Sequence, residues 1–472
     1  MIQEVHIAAL RDLVGAKGLL VGSGGMAAYE TGARHDAGKA AFVARPASTG
    51  EVSAVVAYCT RNAIALVPQS GNTGLVSGST PDASGTQGVL SLDRLAGPFE
   101  FDRVNRTVRA GAGMHLSDLN ARLEGHGLFF PIDLGADPRL GGMIATNTGG
   151  SRFMRYGDVR RNVLGLTVVM ADESGTVLDL SSQLRKNNTG VDWKQLFIGT
   201  SGAFGVVTEC VLNVEPLPRQ STTALLVPAS SDDVPVLLTA MEDALGPCLS
   251  AFEGMSGNAM RAALEHVSSL RNPFQGGVVP DFVILAEVSR VNAIRRGEQP
   301  LEAMLEDVLT DIWEHADAPL ADAFVVPPHE TWALRHALSE GVKHKGRLIA
   351  FDLSFRRGDV MLFLDRMKSE MTACFPGVSI CDFGHVGDGG VHFNLVVARD
   401  DARLADAGFE MALRDWVLSV CVRDFHGSFS AEHGIGRKNQ GCYERYTQDE
   451  SRRLAAALKA ATSPGPLGAV RF

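Results

Sequence analysis

The sequence predicts an α+β protein with two or three domains, and three observations carry that prediction. Three glycine-rich stretches alternate with short apolar runs in the first half of the chain. Two prolines interrupt this pattern within residues 215–219, where a domain boundary is expected. From about residue 220 to 430, strand patterns alternate with helix patterns, which is typical of an α+β domain. A chain of 472 residues is long enough for each domain to have its own core.

The composition excludes several classes of protein. Hydrophobic residues make up 45% of the chain and charged residues 21%, as in an ordinary globular protein. A formal net charge of −10 argues against nucleic acid as the main partner. Seven cysteines without a CxxC pair predict neither a disulfide framework nor an iron–sulfur site. No apolar run reaches membrane-spanning length and the first residues do not resemble a signal peptide, so we expect a cytoplasmic protein.

The first domain is expected to hold a large ligand through its backbone. A helix over 51–59 and a strand over 64–67 lead into the glycine-rich residues 68–78, and two further glycine-rich stretches follow at 135–150 and 198–207. Successive backbone N–H groups in such loops can surround a phosphate without help from side-chain charge. One such stretch is commonly only a turn, whereas three in one region predict that the backbone closes round a single large cofactor.

A shorter glycine pattern near the start of the chain is misleading. Gly22, Gly24 and Ala27 match GxGxxA after a short apolar run, as in nicotinamide dinucleotide-binding folds. That fingerprint requires a helix whose N-terminus points at the pyrophosphate. Residues 29–36 are polar and show no apolar helix face, so the sequence disfavours a nicotinamide-binding fold.

Hydrophobic spacing predicts the other elements. Strands at 163–170 and 175–180 resemble a hairpin, and a helix at about 451–461 is expected to pack back on the first domain. In the second domain we predict strands at 223–227, 282–285 and 348–352, and helices at 234–245, 302–315 and 359–372.

The most informative feature is a pair of histidine-containing motifs late in the chain. His385 and His392 flank the turn at 387–390, and His392 and Asn394 are two residues apart on the strand that follows, so they share one face. The second motif, Ser430-Ala-Glu-His-Gly-Ile-Gly, contributes Glu432. Two imidazoles and one carboxylate, His385, His392 and Glu432, form a metal-ligand set that leaves a coordination position open for substrate. Such ligands favour Zn²⁺, with Mn²⁺ or Co²⁺ as competitors.

At these motifs the chain resembles a known family from about Arg45 to its C-terminus. It is similar to FAD-dependent 2-hydroxyacid dehydrogenases of the vanillyl-alcohol oxidase type, and within them to the D-2-hydroxyglutarate and D-lactate dehydrogenase branch. The segments that carry the resemblance are residues 68–78, 131–150, 184–190, 195–199, 249–253, 385–394 and 430–436.

The resemblance implies an FAD-binding domain of two α+β subdomains at residues 1–218 and a cap domain with an antiparallel sheet at 219–430. Residues 431–472 would return to the FAD-binding domain. Noncovalent FAD is expected because residues 68–78 contain no histidine or cysteine for a covalent bond to the flavin. The expected FAD contacts are Pro68, Ser70, Gly71, Asn72, Thr73, Gly74, Gly78, Ser79, Pro131, Leu134, Gly135, Gly141, Gly142, Ala145, Thr146, Asn147, Gly149, Gly150, Tyr156, Gly157, Gly202, Gly205, Val206 and Val207.

The resemblance also implies roles in catalysis. FAD would supply the acceptor for a hydride from C2 of the substrate, and a divalent ion held by the three ligands would supply a Lewis acid that lowers the pKa of the 2-hydroxyl. His433 contacts the substrate and is the candidate base for the hydroxyl proton. Arg335 and Ser339, one helical turn apart, would bind the substrate carboxylate, and Asn394 would hydrogen-bond that carboxylate or hold a ligand in place.

Two positions depart from the family pattern. Relatives that act on 2-hydroxyglutarate carry a lysine where this chain has Ala350, and many have asparagine where it has Gly390. Lys343 or Lys345 could supply the missing charge. The loss of the lysine at position 350 weakens the case for a five-carbon diacid. D-2-hydroxyglutarate is nevertheless the first substrate to test and D-malate the second, and D-lactate or glycolate is the short-chain alternative.

Other expectations concern partners and competing functions. Reduced FAD would pass electrons to an electron-transfer flavoprotein, a quinone or a cytochrome, and an oxidase that uses O₂ is an open alternative. A homodimer is compatible with the sequence. Two hypotheses lie outside this class: a metal-dependent hydrolase with the same three ligands, which leaves the glycine-rich stretches unexplained, and a binding protein without catalytic activity.

Overall fold

The computed structural model describes residues 2–22, 24–33, 37–315 and 317–472, which form two units. The first unit comprises Met1–Gly150, Gly157–Leu217 and Glu432–Phe472, and the second comprises Ser151–Tyr156 and Pro218–Ala431. The sequence predicts the main divisions after residues 218 and 430. The short segment Ser151–Tyr156 differs, because it packs with the second unit although the sequence prediction includes it in the first domain.

The first unit contains a four-stranded sheet of order β1-β2-β4-β3 near the start of the chain. Its strands are β1 (Leu19–Leu20), β2 (Ala40–Ala44), β3 (Leu66–Gln69) and β4 (Gln87–Ser91). β2, β4 and β3 are parallel, and β1 is antiparallel to β2. The glycine-rich residues 70–79 begin where β3 ends, which places the first predicted cofactor loop at the carboxyl end of a parallel strand.

A second sheet of the first unit has five antiparallel strands in the order β5-β6-β10-β8-β9. These strands are β5 (Phe99–Asp102), β6 (Thr107–Gly111), β8 (Val163–Val169), β9 (Val177–Leu180) and β10 (Val206–Asn213). The hairpin-like pairing of β8 with β9 confirms the sequence prediction. Two short strands, β7 (Leu128–Phe129) and β11 (Glu215–Pro216), pair separately.

Helices cover these sheets. In the first unit they are α1 (Glu4–Val14), α2 (Ala27–Glu30), α3 (Thr49–Arg61), α4 (Leu116–Glu124), α5 (Leu140–Thr146), α7 (Val159–Asn162), α14 (Gln440–Tyr446) and α15 (Asp449–Thr462). The Ser48 side chain caps α3 by accepting a hydrogen bond from Glu51 N, a standard helix start. The GxGxxA pattern leads into the four-residue α2, which is too short for a dinucleotide fingerprint. Leu458 of α15 packs on the core of the five-stranded sheet, as predicted.

The second unit is built on an eight-stranded antiparallel sheet of order β15-β12-β14-β13-β18-β19-β16, in which β17 also pairs with β19. Its strands are β12 (Gln220–Pro228), β13 (Leu249–Ser256), β14 (Phe282–Arg290), β15 (Leu320–Val326), β16 (Arg347–Ser354), β17 (Ser379–Ile380), β18 (Phe383–Gly384) and β19 (Gly390–Val397). Its helices are α6 (Phe153–Tyr156), α8 (Asp233–Leu245), α9 (Gly257–His266), α10 (Leu301–Trp313), α11 (Pro328–Lys345), α12 (Val360–Cys374) and α13 (Ala407–Ser419), which continues as a π-helical turn at Val420–Asp424. The predicted antiparallel sheet is thus confirmed.

Within the described ranges, no helix combines the length and the apolar character that crossing a bilayer requires.

Candidate active site

The glycine-rich segments of the first unit converge, as the sequence predicts. Backbone N–H groups of the third segment donate to carbonyls of the second, from Gly199 to Ile144 at 3.0 Å and from Ser201 to Ala145 at 2.7 Å. Ser201 has a left-handed φ of 50°, which turns the chain sharply at this junction. The two segments are therefore held together by backbone contacts rather than by side-chain packing alone.

The C-terminal segment joins the same group of loops. Lys438 N donates to Val76 O at 3.2 Å, and the Ser201 hydroxyl donates to Ile435 O at 2.6 Å. Gly150 N donates to Glu432 Oε2 at 3.1 Å. The predicted metal ligand Glu432 is thus anchored on the second glycine-rich stretch by one oxygen.

The predicted FAD contacts differ in exposure. Exposed are Gly74 and Gly135. Half-buried are Pro68, Ser70, Gly71, Asn72, Thr73, Gly78, Ser79, Leu134, Gly142, Ala145, Thr146 and Asn147. Buried are Pro131, Gly141, Gly149, Gly150, Tyr156, Gly157, Gly202, Gly205, Val206 and Val207. All lie in the first unit except Tyr156, which belongs to the segment that packs with the second.

Glycine serves two purposes in these loops. A Cβ added at Gly74 or Gly135 would meet nothing within 4 Å, so these positions leave open space beside the backbone. At Gly150, which has a φ of +110°, a Cβ would lie 2.7 Å from Asp133 O. At Gly205 it would lie 2.6 Å from a methyl group of Val168. Open glycines can line a ligand, whereas the crowded ones let the loops approach each other.

Several polar side chains of the loops are engaged with the loops themselves. Asn72 donates to Thr31 O at 2.8 Å and accepts from the Ser79 hydroxyl at 2.9 Å. Asn147, with a φ of 52°, donates to Asp158 Oδ2 at 2.8 Å and also accepts from a backbone N–H. The side chains of Asn72 and Asn147 therefore stabilise the loops. We expect the loops to contact a cofactor mainly through their backbone groups.

In the second unit, the predicted turn between the two histidines is present. The N–H groups of Asp388, Gly389 and Gly390 all point to the carbonyl of His385, at 3.0 to 3.1 Å. The turn returns the chain so that Phe383 pairs with His392. The two imidazole rings lie with centroids 5.2 Å apart and planes at 78°. The turn therefore places both predicted ligands side by side.

His385 is held by a buried carboxylate that the sequence prediction missed. Its Nδ1 lies 2.6 Å from Oε1 of Glu253, which is in β13 and fully buried. The other oxygen of Glu253 accepts from Arg335 Nε and Nη2 at 2.8 and 2.7 Å. Burial alone would raise the pKa of Glu253, but the nearby charges of His385 and Arg335 and their hydrogen bonds lower that pKa to about 2.

His392 faces a second carboxylate. It pairs across the sheet with Asp352, whose Oδ1 lies 3.6 Å from His392 Nδ1. Asp352 Oδ2 accepts from Ala431 N at 3.0 Å. Because Ala431 precedes Glu432 directly, Asp352 ties the strand of His392 to the start of the second motif. In metal sites, the ring nitrogen that does not bind the ion commonly donates its N–H to a nearby carboxylate.

The predicted substrate contacts show a mixed picture. Arg335 is 7% exposed, lies over the Phe383 ring at 5.0 Å, and already has two nitrogens on Glu253. Ser339, one turn further along α11, is exposed. Asn394 is buried, and its amide donates to His392 O at 3.1 Å. The positive charge of Arg335 is thus partly balanced by Glu253, and two of its three nitrogens are already engaged.

Ala350 lies directly opposite Asn394 on the face of the sheet that carries His392. The two lysines considered as replacements for its missing charge form surface ion pairs instead. Lys343 Nζ lies 3.4 Å from Glu340, and Lys345 Nζ lies 2.6 Å from Glu265. The charge of each lysine is therefore balanced by a surface carboxylate.

One signal in the sequence could have found Glu253. It occurs in the strand Leu249-Ser-Ala-Phe-Glu-Gly-Met-Ser, every residue of which is buried. An acidic residue inside an apolar strand needs a cationic or donor partner, so it is a candidate for a functional network. The partner itself could not be predicted, because His385 lies 132 positions away.

A second histidine cluster, on the surface, does not form a comparable site. His266, Glu340 and His344 bring potential ligand atoms within 4.8 Å of one another. The two imidazoles are stacked with centroids 3.4 Å apart and planes at 16°. Because a ring nitrogen lone pair lies in the ring plane, stacked rings direct their lone pairs side by side rather than at a common ion.

Comparison with known proteins gives consistent similarities. Residues 40–181 match the FAD binding domain family, and residues 217–465 match the family of FAD linked oxidases, C-terminal domain. A mitochondrial D-2-hydroxyglutarate dehydrogenase of Danio rerio is 32% identical over 429 residues, 90% of this chain and 77% of that protein. A D-2-hydroxyglutarate–pyruvate transhydrogenase of Saccharomyces cerevisiae is 31% identical over 418 residues, 86% of this chain and 80% of that protein.

Solved structures agree on the fold. A 4-ethylphenol oxidase from Gulosibacter chungangensis aligns with a TM-score of 0.73 at 15% identity over 98% of this chain and 95% of that one. A p-cresol methylhydroxylase aligns with a TM-score of 0.72 at 13% identity over the same shares. At these identities the likeness concerns the fold alone.

Proposed function

Because the chain belongs to the FAD-linked oxidases of the vanillyl-alcohol oxidase type, we propose that it is a dehydrogenase that oxidises a D-2-hydroxyacid to the 2-oxoacid with FAD as hydride acceptor. The observation that carries the proposal is the adjacent pair His385 and His392, the first hydrogen-bonded through Nδ1 to Glu253 at 2.6 Å and the second facing Asp352 at 3.6 Å. Relatives named for D-2-hydroxyglutarate make that diacid the first substrate to test.

The residues of the first unit fit FAD. Loops 70–79, 135–150 and 199–207 meet, and the open space beside Gly74 and Gly135 leaves their backbone accessible to a ligand. The first loop contains no histidine or cysteine, so we propose that FAD is bound noncovalently. When bound, FAD supplies the two-electron chemistry, and the protein must position the substrate and handle the proton.

The residues also fit a divalent ion. His385 has its Nδ1 hydrogen-bonded to Glu253, so Nε2 is the atom that would bind the ion. His392 Nδ1 faces Asp352 Oδ1 at 3.6 Å, beyond hydrogen-bond distance, and its Nε2 is the proposed second ligand atom. We propose that Nε2 atoms of both rings and a carboxylate oxygen of Glu432 hold Zn²⁺, with Mn²⁺ or Co²⁺ as alternatives. The ion would supply a Lewis acid for the substrate hydroxyl.

The remaining residues would accept the proton of the 2-hydroxyl and bind the carboxylate of the substrate. His433, next to Glu432, is the proposed base that accepts the 2-hydroxyl proton. Arg335, Ser339 and Asn394 are the proposed contacts of the substrate carboxylate. Since Arg335 is paired with Glu253, its net attraction for an anion is weaker than that of a free guanidinium.

A short-chain substrate is the second candidate, and one observation favours it. The strand position opposite Asn394 is Ala350, which has no charge to bind a second carboxylate. Lys343 and Lys345 are engaged with Glu340 and Glu265. D-lactate and glycolate therefore belong in the first assay beside D-2-hydroxyglutarate and D-malate.

The test is an anaerobic visible spectrum of the purified protein with each D-2-hydroxyacid, with the L-enantiomers as controls. We expect a yellow protein whose flavin absorbance is bleached by a D-enantiomer. Glu432→Ala should keep its yellow colour but bleach at least about 100-fold more slowly, whereas Glu450→Ala, at an exposed position of α15, should behave as wild type. A colourless protein after addition of FAD would contradict the assignment of the cofactor, and unchanged bleaching by Glu432→Ala would contradict the metal.

Two further parts of the proposal concern partners. We propose that an electron-transfer flavoprotein, a quinone or a cytochrome reoxidises the flavin, and that the protein forms a homodimer. Steady-state assays with each acceptor, compared with O₂, separate a dehydrogenase from an oxidase.

A further inference from the structure

A buried carboxylate connects two residues to which the proposed function gives separate roles. Glu253 bridges His385, a proposed metal ligand, and Arg335, a proposed substrate contact, at 2.6 to 2.8 Å. All three side chains belong to the second unit, and those of Glu253 and Arg335 are 1% and 8% exposed. Water cannot replace either partner without entering the core.

The geometry determines which nitrogen of His385 can bind an ion. A carboxylate that already accepts two N–H groups from a guanidinium is an acceptor only. The hydrogen of a neutral His385 must then lie on Nδ1, which faces Glu253, and the lone pair must lie on Nε2. The opposite tautomer would place two acceptor atoms 2.6 Å apart inside the core.

We propose that Glu253 is a positioning residue that fixes the Nδ1–H tautomer of His385 and couples the metal ligand to Arg335. This inference rests on the metal site of the proposed function, and it does not depend on which hydroxyacid is the substrate. Its consequence is that metal affinity depends on a residue that touches neither the ion nor the substrate. Arg335 correspondingly acts on His385 through Glu253.

A glutamine at position 253 makes the proposal testable. Its side chain has one acceptor oxygen and one donor NH₂, whereas His385 and Arg335 both present donors. If the oxygen stays on Arg335, the NH₂ faces His385 Nδ1 and favours the Nε2–H tautomer, which cannot bind an ion through Nε2. Glu253→Gln should therefore invert the tautomer with little change in volume.

The same sheet supplies a matched control. Glu287, in the neighbouring strand β14, is 2% exposed and accepts from Arg152 Nε and Nη2 at 2.8 and 2.9 Å. Its other partners are the Ser250 hydroxyl at 2.6 Å and Trp332 Nε1 at 2.8 Å. Glu287→Gln weakens an ion pair of the same kind and depth without touching a histidine.

The primary measurement is Zn²⁺ affinity, determined by competition with a chromogenic chelator on the flavin-loaded protein. We expect Glu253→Gln to bind Zn²⁺ about 10- to 100-fold more weakly than wild type, and Glu287→Gln to bind it as wild type does. Flavin content, measured by absorbance, should not differ between the variants. Equal Zn²⁺ affinity in wild type and Glu253→Gln, or equal losses in both variants, would overturn the proposal.

A second measurement requires no metal and no change at Glu253. Long-range ¹⁵N–¹H spectra of the metal-free, ¹⁵N-histidine-labelled protein report the tautomer of each imidazole, and His385→Ala assigns the signal. The Nδ1–H tautomer in wild type supports the proposal, and the Nε2–H tautomer overturns it. If wild type binds no Zn²⁺ at all, the metal part of the proposed function fails, while the tautomer still decides whether Glu253 orients His385.

Discussion

At the scale of single residues, the second unit contains acidic side chains that serve as fixed anions inside its sheet. Glu253 and Glu287 lie in adjacent strands, and each accepts two hydrogen bonds from an arginine. Removing water from a charge is costly, so a buried carboxylate persists only where its partners satisfy it. Burial would raise the pKa of Glu287, but its hydrogen bonds to Arg152, Ser250 and Trp332 lower it.

The pKa of Glu253 predicts how stability depends on pH. That pKa is about 2 in the folded protein and about 4.5 in its ordinary state, so the folded state favours the charged form. The resulting stability is fully present above pH 4.5 and is lost as the pH falls towards 2. We therefore expect the difference in free energy of unfolding between wild type and Glu253→Gln to shrink steadily between pH 4.5 and 2.

Urea unfolding at pH 7, 4 and 3, at constant ionic strength, measures this difference. Glu450→Gln, an exposed change on α15, controls for the loss of one surface carboxylate. A difference between wild type and Glu253→Gln that is the same at pH 7 and pH 3 would contradict the prediction.

The residue scale is also where prediction from sequence reaches its limit. The turn between His385 and His392 is local, and its glycines reveal it. The partners of those histidines are distant in the chain: Glu253 belongs to another strand, and Asp352 contacts His392 only because β16 pairs with β19. Spacing along the sequence carries no information about such contacts until the strand order is known.

At the scale of elements, the glycines of the first unit fall into two groups. Some allow two backbone segments to pack closely, and others leave open space beside the loop. Gly436 lies against the backbone of Val76, and a Cβ there would collide with the Val76 carbonyl oxygen. Gly74, in the same loop as Val76, has open space on its side. Sequence alone identified both as members of glycine-rich motifs but could not separate the two roles.

This distinction predicts opposite effects of two alanine substitutions. Gly436→Ala forces the C-terminal segment away from residue 76 and should lower the free energy of unfolding by about 1–3 kcal/mol. Gly74→Ala should leave that free energy nearly unchanged but weaken FAD binding, because its methyl group occupies the space left for a ligand.

Urea unfolding of the metal-free, flavin-free protein gives the first quantity, and quenching of FAD fluorescence on titration gives the second. Gly441→Ala, at an exposed position of α14 with nothing within 4 Å, is the control for both. Wild-type FAD affinity in Gly74→Ala would show that this loop does not contact the cofactor.

At the scale of the whole molecule, the first unit is assembled from three parts of the chain and is closed by its last residues. Leu66 N donates to Pro466 O at 2.9 Å, and Gly468 N donates to Leu66 O at 2.8 Å, so the C-terminus extends the edge at β3. The Ser463 hydroxyl donates to Phe204 O at 2.7 Å and accepts from Ala171 N at 3.1 Å. The C-terminal segment is therefore structural as well as part of the proposed site.

A substitution at Ser463 would measure how much the C-terminal segment contributes to the stability of the first unit. It is 1% exposed, and Ser463→Ala leaves the N–H of Ala171 and the carbonyl of Phe204 without that partner inside the core. We expect a loss of about 1–3 kcal/mol in the free energy of unfolding, with weaker retention of FAD at raised temperature. Differential scanning calorimetry and flavin release measure the two effects.

Arg471→Ala is the matched control, because its side chain is 82% exposed and pairs with a surface glutamate, Glu444. It should change the free energy of unfolding by less than about 0.5 kcal/mol. Equal losses in Ser463→Ala and Arg471→Ala would mean that the buried hydroxyl does not anchor this segment.

The division of the chain itself was only partly predictable. Prolines at 216 and 218 signalled the first boundary, and the motif around Glu432 lies at the second. The six residues Ser151–Tyr156 carry no such signal, because their attachment depends on Arg152 meeting a carboxylate on β14 and on Arg155 meeting Ser289 at 2.6 Å. These contacts span about 135 positions.

The assignment of Ser151–Tyr156 to the second unit has a consequence for expressing that unit alone. A gene fragment for residues 218–431 encodes nearly all of it but omits Arg152, the cation that neutralises Glu287 in the middle of the sheet. Breaking a buried ion pair from one side costs about 3–5 kcal/mol, a large share of the stability of a typical domain. The fragment should be markedly less stable than the same fragment fused to a short peptide that restores the arginine, so residues 151–156 belong in any gene designed for the second unit.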